Sequence, residues 1–325
     1  MKKTSVFILI AAMLFCMLTG CSVGGMQGGN AGSIKVLMIL SNEDTYREMV
    51  AQEAGKIAQE QGMQFDLVIG DGTSDAQVKT IKEGVSKGYD VIICNPADAA
   101  TALQLEIAAG DIPMVFFNSC PEERLLKKGK YVYVGSNEQD AGKFQAEYVL
   151  DKLGSKQELN VMILQGEQEH SATNGRTTAV KNALKDSGKK INYIFSDYAD
   201  WSREKAKNMF DIMLKTGREV DCVICNNDEM ALGTIESCKE NKIDLASLVI
   251  LGVDATKDGC EAIENGELSF TVCQSAPGQG RACVEAARAL ASGEDMSKVE
   301  YATDNGLYVY VPFEPVTAQN VTQYK

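Results

Sequence analysis

Histidine and clustered positive charge are both scarce in this 325-residue sequence. It has 1 His, and its 32 Lys and Arg face 45 Asp and Glu, which gives a formal net charge of −13. A single histidine excludes a metal centre built from several histidines and a histidine proton relay. No basic run lies outside the N-terminus, so we expect no nucleic-acid partner, because neutralising phosphates requires clustered cations.

Nucleotide-binding loops are absent from the sequence. Neither a GxxxxGK[ST] loop nor a GxGxxG turn occurs, which argues against nucleotide binding or hydrolysis. Proline is limited to 6 residues, while 45% of the chain is hydrophobic and 24% is charged. That balance is typical of globular proteins rather than disordered or fibrous ones. At roughly 150 residues per domain, the length predicts two lobes.

The N-terminus has the pattern of an export signal. Two lysines precede an apolar run from Val6 to Leu18, and the sequence LTGC then ends at Cys21. This ending resembles the bacterial lipobox, which implies a signal peptide over residues 1–20 and a lipid on Cys21. Residues 21–33, rich in Gly and polar residues, are expected to form a flexible tether. We therefore expect an extracytoplasmic protein, lipid-anchored to the cytoplasmic membrane; an uncleaved anchor and a secreted protein with an incidental Cys21 are the alternatives.

Eight cysteines follow the signal, at positions 94, 120, 222, 225, 238, 260, 273 and 283. Most fall inside apolar strand or helix patterns, where cysteine behaves as a small hydrophobic residue. We therefore expect buried, reduced thiols rather than a disulfide framework. Cys222 and Cys225 form CVIC, but within a strand they would point to opposite faces, which does not suit a shared metal or redox pair.

Apolar strand patterns alternate with amphipathic helical patterns along the chain. The expected strands are 35–40, 65–69, 91–94, 113–117 and 131–134 in a first series, and 161–164, 191–195, 221–225, 248–251 and 268–272 in a second. Helical stretches such as 46–61 and 202–215 separate them. Continuous apolar strands with helices between them predict parallel sheets covered on both faces. The predicted fold class is therefore α/β, with two doubly wound, Rossmann-like parallel-sheet lobes.

Polar and aromatic side chains come after nearly every expected strand. They are Asp44, Tyr46, Asn95 and Asn118 in the first series, and Glu167, His170, Arg176, Asp197, Trp201, Asn226, Asn227, Asp228, Asp254 and Gln274 in the second. In open parallel sheets, ligands bind beyond the carboxyl ends of the strands. Carboxylates, amides, arginine and histidine match the hydroxyls of an uncharged polyol, while Tyr46 and Trp201 offer faces for its C–H groups.

Each of these residues also has a structural explanation. Asp228 and Asp254 are suitable helix N-caps or loop residues, and Asn227 is a typical turn residue. Arg176 suits a structural ion pair, and Trp201 a core position. Their shared placement at strand ends favours a common site.

Six stretches carry a family resemblance. They are VFFN at 115–118, YVGS at 133–136, LQGEQEHSATNGRTT at 164–178, DYADW at 197–201, NNDEMALG at 226–233 and GVDA at 252–255. With them the chain resembles bacterial periplasmic sugar-binding proteins of the ribose and galactose type, above all the glucose/galactose binders, from about Ile34 to Thr317. The resemblance implies a periplasmic binding protein-like type I fold that closes on a monosaccharide. It also implies a monomer that delivers its ligand to an ABC permease.

The resemblance implies a lobe organisation as well. The N-terminal lobe would comprise 34–135 plus 275–304, and the C-terminal lobe 136–274 plus 305–325. Three hinge crossovers near 135–137, 273–275 and 304–306 would join them.

Carried over by position, the resemblance implies nine ligand-binding residues. Hydrogen bonds would come from Asp44, Asn118, His170, Arg176, Asn227, Asp254 and Gln274, and the ring would lie between Tyr46 and Trp201. The chain departs from the galactose binders at Ala172, where they have an aspartate, and at Tyr46 and Gln274, where they have Phe and Asn. Their calcium loop has no counterpart in GSKQELNVMIL, so we expect no metal and no cofactor. D-galactose or D-glucose is the first choice, with another hexose or a pentose as alternatives.

Other functional classes fit the sequence less well. A sugar-responsive repressor would need an N-terminal helix-turn-helix, where this chain has an export signal. A glycan hydrolase would use two carboxylates, for which Asp44 and Asp254 are candidates, but the surrounding amides bind without reacting, so we expect no enzyme. A lipoprotein that reports sugar to a sensor kinase or chemoreceptor shares the same fold and site and remains the alternative to transport.

Overall fold

The computed structural model describes residues 33–324, so the expected signal peptide, the expected lipidation site Cys21 and nearly all of the expected tether lie outside the described residues. Within 33–324, the helices are too short or too polar for any to cross a bilayer. Two parallel sheets flanked by helices organise this part of the chain, which confirms the predicted α/β class.

The first lobe is built on six parallel strands. It contains β1 (Lys35–Leu40), α1 (Thr45–Glu60), β2 (Gln64–Ile69), α2 (Ser74–Lys87), β3 (Val91–Cys94), α3 (Ala102–Ala109), β4 (Met114–Phe117) and β5 (Tyr131–Gly135). Their order across the sheet is β11-β5-β4-β3-β1-β2, where β11 (Tyr308–Tyr310) arrives from near the C-terminus.

The second lobe is built on a four-stranded parallel sheet. It contains α4 (Glu138–Lys152), β6 (Glu158–Gln165), α5 (Ser171–Asp186), β7 (Lys190–Tyr198), α6 (Arg203–Lys215), β8 (Cys222–Cys225), α7 (Asp228–Glu240), β9 (Val249–Leu251), α8 (Lys257–Glu264), β10 (Thr271–Gln274) and β12 (Phe313–Val316). The order is β7-β6-β8-β9, and bridges such as Asp254 to Cys273 continue it to the antiparallel pair β10-β12. The helix α9 (Ala276–Ser292) returns to the first lobe, where it packs against α1.

Both sheets are covered on their two faces, as continuous apolar strands require. All four residues of β3, β4 and β8 are buried. Alternate residues of each strand enter different cores: Cys225 lies in one apolar cluster and Cys222 in the other. The expectation that the CVIC cysteines point to opposite faces is therefore confirmed, and both side chains are buried.

Most expected strands have somewhat different limits in the structure: the strand expected at 161–164, for example, spans Glu158–Gln165. The strand expected at 268–272 begins at Thr271 and runs to Gln274, so Gln274 is the last strand residue rather than a loop residue. The strand expected at 191–195 extends to Tyr198. The extension occurs because β7 pairs with β6 along its whole length, which a local hydrophobicity pattern does not reveal.

The chain passes between the lobes three times. It leaves β5 at Gly135 and enters α4 at Glu138, and it leaves β10 at Gln274 and enters α9 at Ala276. The third passage was expected at 304–306, with 305–325 in the C-terminal lobe, and that expectation is wrong. Residues 308–310 form β11, which pairs with β5 in the first sheet, so the chain crosses at Val311 and Pro312. Proline has no N–H to continue the ladder, which fits the end of β11.

Close packing of α1 against α9 depends on a glycine. A Cβ added at Gly280 would lie 2.8 Å from the carbonyl oxygen of Val50 and 2.9 Å from Glu53 Cβ. A backbone atom of a packed helix cannot move aside cheaply, so the small residue is required there.

Replacing Gly280 with Ala should therefore destabilise the protein. Helix propensity alone favours alanine by about 1 kcal/mol, but overpacking should reverse the sign and lower the free energy of unfolding by about 1 to 3 kcal/mol. Urea unfolding measures this change. The control is Arg281→Ala at an exposed position of the same helix, expected to change stability by less than about 0.5 kcal/mol; a more stable Gly280→Ala variant would contradict the packing argument.

Candidate functional site

The nine residues expected to bind a ligand lie around one cavity. It is lined by Asp44, Tyr46, Asn118, His170, Arg176, Trp201, Asn227, Asp254 and Gln274, together with Arg47 and Ala172. Residues of both lobes line it, at the carboxyl ends of the two sheets.

Three of the cavity residues also cap helices. Asp44 Oδ1 accepts a hydrogen bond from the Arg47 N–H at the start of α1 (2.8 Å), and Asn227 Oδ1 accepts one from the Met230 N–H at the start of α7 (3.0 Å). His170 Nδ1 accepts one from the Ala172 N–H at the start of α5 (3.2 Å). Each of these side chains uses one polar atom to cap a helix and keeps a second polar atom that is not part of the cap. The same residue can therefore cap a helix and line the cavity.

His170 is a neutral hydrogen-bond donor in this setting. Because Nδ1 accepts the backbone hydrogen bond, the neutral ring carries its proton on Nε2. Burial, with the positive charges of Arg47 and Arg176 nearby, lowers the pKa of His170 to about 3. Its ring meets the edge of Trp201, with centroids 5.3 Å apart and planes at 78°.

Trp201 is held in place by an unusual local backbone. Its φ is 61°, in the left-handed region, and Asp200 before it has φ 51°. A Cβ added at Gly166 would lie 2.1 Å from Cζ2 of the Trp201 ring. Gly166 directly follows β6, so the end of this strand leaves room for the indole beside the cavity.

Tyr46 brings a hydroxyl group as well as a ring. The residue is buried, and its hydroxyl oxygen has no hydrogen-bond partner among the residues the structure describes. Burial and the carboxylates of Asp254 and Glu138 raise the pKa of Tyr46 well above its usual value. The group is therefore a protonated donor, ready for an acceptor that the protein does not supply.

Arg176 is the most heavily bonded cavity residue. Its Nε donates to Glu138 Oε2 (2.7 Å), Nη1 to the Asn226 carbonyl (2.6 Å) and Nη2 to Gln274 Oε1 (3.0 Å). Nη1 also lies 3.9 Å from Asp254 Oδ1. The side chain of Arg176 is 3% exposed, so these partners replace almost all of its water.

Asp254 and Asp228 have different roles. Asp254 faces the cavity with φ 120°, and burial raises its pKa well above the usual value, against the lowering effect of Arg176. Asp228 is not a helix N-cap: it is the first residue of α7, after the N-cap Asn227, and it is fully buried and accepts hydrogen bonds from Thr256 N (2.7 Å) and Thr271 Oγ1 (2.6 Å). Asp228 therefore supports the loop that presents Asp254.

Asn118 and Gln274 complete the polar lining. Asn118 follows β4 with φ 63°, a conformation that asparagine tolerates, and its carbonyl accepts from the Tyr133 hydroxyl (3.2 Å). Gln274 accepts from Arg176 through Oε1, while its buried Nε2 has no partner among residues 33–324. The cavity thus keeps an unused donor from each of Tyr46 and Gln274, which is the arrangement a ligand rich in hydroxyl oxygens can satisfy.

A family model described as a periplasmic binding protein domain matches residues 34–295. The chain belongs to this periplasmic binding protein family. It is therefore a solute-binding protein and not an enzyme, and the family is extracytoplasmic.

Two curated relatives and one solved structure illustrate the similarity. A putative rhizopine-binding protein of Rhizobium meliloti is 34% identical over 265 residues, which cover 80% of this chain and 82% of that protein. A D-galactose/methyl-galactoside binding periplasmic protein of Haemophilus influenzae is 26% identical, covering 100% of this chain and 99% of that one. An ABC transporter solute-binding protein of Bacillus halodurans, solved with bound myo-inositol, has a TM-score of 0.80 and 29% identity, covering 91% of this chain and 98% of that one.

Arg47 is a cavity residue of this periplasmic binding protein that the sequence analysis missed. Its Nη1 donates to Ser41 Oγ (2.9 Å) and Asn95 Oδ1 (2.9 Å), and its Nε lies 3.4 Å from Asp44 Oδ1. One signal was available in the sequence: a cation in the first turn of a helix opposes the helix dipole, so such a residue needs a compensating partner.

Within residues 33–324, no group of His, Cys, Asp or Glu is placed to hold a metal ion.

The neutral state of His170 predicts a specific pH dependence of stability. The folded pKa, about 3, lies below the usual value of 6.5. Between pH 7 and 5 the unfolded chain therefore gains a proton that the folded chain does not, and His170 should lower the free energy of unfolding by about 2 kcal/mol over this range. His170→Asn keeps a capping side chain and removes this contribution.

Urea unfolding of the wild type and of His170→Asn at pH 7 and pH 5 measures the contribution of His170 to the pH dependence of stability. The buried carboxylates contribute equally to both proteins, so their effect cancels in the comparison. The wild-type chain has 1 His, so its imidazole NMR signals provide a direct check and should not titrate between pH 5 and 8. A titration midpoint near 6.5, or equal pH dependence in the two proteins, would contradict the buried neutral state.

Proposed function

We propose that this chain captures an uncharged, six-membered cyclic polyol and passes it to an ABC permease. The observation that supports this proposal is the convergence of nine polar and aromatic side chains on one cavity at the carboxyl ends of both sheets. The lining combines acceptors, such as Asp44 and Asp254, with donors, such as His170 and Tyr46. Hydroxyl groups both donate and accept, so a ring carrying several of them can pair with both kinds.

We propose myo-inositol as the first ligand to test, with D-galactose and D-glucose beside it. The Bacillus halodurans protein with bound myo-inositol is 29% identical to this chain, and the relative named for D-galactose is 26% identical. The cavity also differs from that of the galactose binders at Ala172, which is buried and lines the site without a polar atom in its side chain. One hydrogen-bond acceptor for a pyranose is therefore missing, while the remaining groups suit hydroxyls around a carbocycle equally well.

We propose that the ligand closes the two lobes on each other and that the closed form is recognised by the permease. Cavity residues come from both lobes, so a bound molecule stabilises the arrangement in which both sets contact it. Lipidation of Cys21 would keep the protein at the outer face of the cytoplasmic membrane. The lipobox-like LTGC sequence supports this anchoring.

Calorimetry with a panel of neutral sugars and polyols tests the proposal. We expect myo-inositol, D-galactose or D-glucose to bind with a dissociation constant in the micromolar range or below, and ribose and open-chain polyols to bind more weakly. The emission of Trp201, the only tryptophan, should change upon binding. A purified chain that binds none of the panel, or that converts any of these compounds, would contradict the proposal.

Ala172→Asp tests which ring the cavity prefers. The added carboxylate would lie between His170 and Arg176 and supply the acceptor that galactose binders have at this position. A hydrogen bond to a charged group contributes about 1.5 to 3 kcal/mol, so galactose affinity relative to myo-inositol should rise about tenfold or more. Ala172→Asn, which adds similar volume without charge, is the control. An unchanged ratio in Ala172→Asp would show that this position does not determine specificity.

A further inference from the structure

Arg176 contacts the boundary residues of all three passages between the lobes. Glu138 is the first residue of α4 after the first passage, and its Oε2 accepts from Arg176 Nε at 2.7 Å. Gln274 is the last residue of β10 before the second passage, and its Oε1 accepts from Nη2 at 3.0 Å. Phe313 is the first residue of β12 after the third passage, and its ring centroid lies 5.7 Å from the Arg176 guanidinium carbon.

The same guanidinium lines the ligand cavity. It lies 5.9 Å from the centroid of the Trp201 ring and approaches Asp254. One side chain therefore touches the ligand space on one side and the three interlobe segments on the other. A small change in its orientation alters both sets of contacts together, because a planar guanidinium is a rigid fork of donors.

Among the three boundary residues, Glu138 is the only one with a charge, and it is not part of the cavity lining. It is 8% exposed, and its second oxygen, Oε1, has no hydrogen-bond partner among the described residues. Burying a carboxylate with one unsatisfied oxygen costs free energy, which its ion pair with Arg176 offsets, together with its place in the first turn of α4. Glu138 therefore serves Arg176 and not the ligand.

The packing around this pair is unusually close. A Cβ added at Gly175 would lie 2.6 Å from Glu138 Cβ, and one added at Gly142 would lie 2.3 Å from the Arg176 carbonyl oxygen. Two glycines thus bring α4 and α5 near enough for the buried ion pair to form. Glu138 also borders a second space between the lobes, together with Tyr133 and Tyr310 of the first lobe and Ser171 of the second.

We propose that Glu138 is a positioning residue that couples ligand contact at Arg176 to the relative orientation of the two lobes. The Glu138 carboxylate holds the Arg176 guanidinium against the ends of the three segments that join the lobes. The guanidinium orientation that suits the ligand is therefore also the orientation that suits the closed arrangement of the lobes. The statement about ligand affinity rests on the proposed function. The statement about lobe orientation does not depend on which ligand binds.

Two substitutions separate the contributions of Glu138. Glu138→Gln keeps an oxygen that accepts from Arg176 Nε but removes the charge, and Glu138→Ala removes both. The control is Glu158→Gln in the same lobe, where Glu158 Oε1 lies 2.8 Å from Lys190 Nζ in an exposed ion pair. Each variant is compared with the wild type by calorimetry with myo-inositol and D-galactose, by small-angle X-ray scattering with and without those compounds, and by urea unfolding without ligand.

We expect the dissociation constant of the better-bound compound to rise about tenfold or more in Glu138→Ala and by a smaller factor in Glu138→Gln. Without ligand, the scattering profile of both variants should show lobes more widely separated than in the wild type. The isosteric Glu138→Gln should remain folded, because it keeps a hydrogen-bond acceptor for Arg176 Nε, but its unfolding midpoint should lie below that of the control because the buried cation loses its counter-charge. Glu158→Gln should match the wild type in affinity and scattering.

The outcomes that overturn the proposal differ from those that overturn the proposed function. A wild type that binds the ligand, with Glu138 variants that match it in affinity and scattering, removes the role of Glu138. If the wild type binds neither compound, the ligand assignment is wrong. The scattering comparison without ligand then tests the role of Glu138 by itself. Identical profiles for wild type and Glu138→Gln would overturn that role. Weaker binding with unchanged scattering also overturns it, because the coupling to lobe orientation would be missing.

Discussion

A buried cation constrains this structure more than any other single group. The Arg176 side chain is 3% exposed and exchanges its water for Glu138, Gln274 and the carbonyl of Asn226. Such a charge is tolerated only when its donors are well paired, since removing one partner leaves the remainder uncompensated in a medium of low dielectric. The partners come from α4, β10 and the turn after β8, so the need to satisfy one guanidinium fixes how these segments meet. The lobes join near this guanidinium, and the cavity lies beside it.

The polar lining is tolerated at the edge of two sheets because much of it already has a structural partner. Asp44, His170 and Asn227 each accept a backbone hydrogen bond at the start of a helix. Doubly wound sheets bring helix N-termini to the edge where the strands end, and each N-terminus needs an acceptor for its first N–H groups. A side chain that meets this need is oriented by the fold before any ligand arrives. Preorganisation of this kind lowers the entropy lost upon binding.

The α/β class and the sheet edge that carries the cavity were predictable from local patterns, whereas the choice of nine residues among the polar ones at that edge came from the family resemblance. Apolar strand runs give the sheets, and a parallel sheet brings all its carboxyl ends to one edge, so polar residues that follow strands must gather there. Three features were not predictable in the same way. Strand β11 has only three residues and continues into another apolar stretch, so the third passage between the lobes was misplaced. Arg47 depends on a contact with Asn95, which follows a different strand, and the state of the buried Tyr46 hydroxyl depends on nearby groups of the second lobe such as Asp254 and Glu138. Both are set by tertiary packing rather than by periodicity.

The unpaired polar atoms of the cavity determine what it can select. Tyr46 has a buried hydroxyl and Gln274 a buried amide N–H₂, each with no partner among residues 33–324. An unsatisfied buried donor costs roughly 1 to 3 kcal/mol, and a ligand that supplies an acceptor recovers it. His170 adds a third donor, because its neutral ring keeps a proton on Nε2. A deoxy analogue that lacks one oxygen would leave one of these donors unsatisfied, so it would lose more affinity than one hydrogen bond normally contributes. Discrimination in this cavity therefore arises mainly from the donors that the fold buries, and only secondarily from its shape.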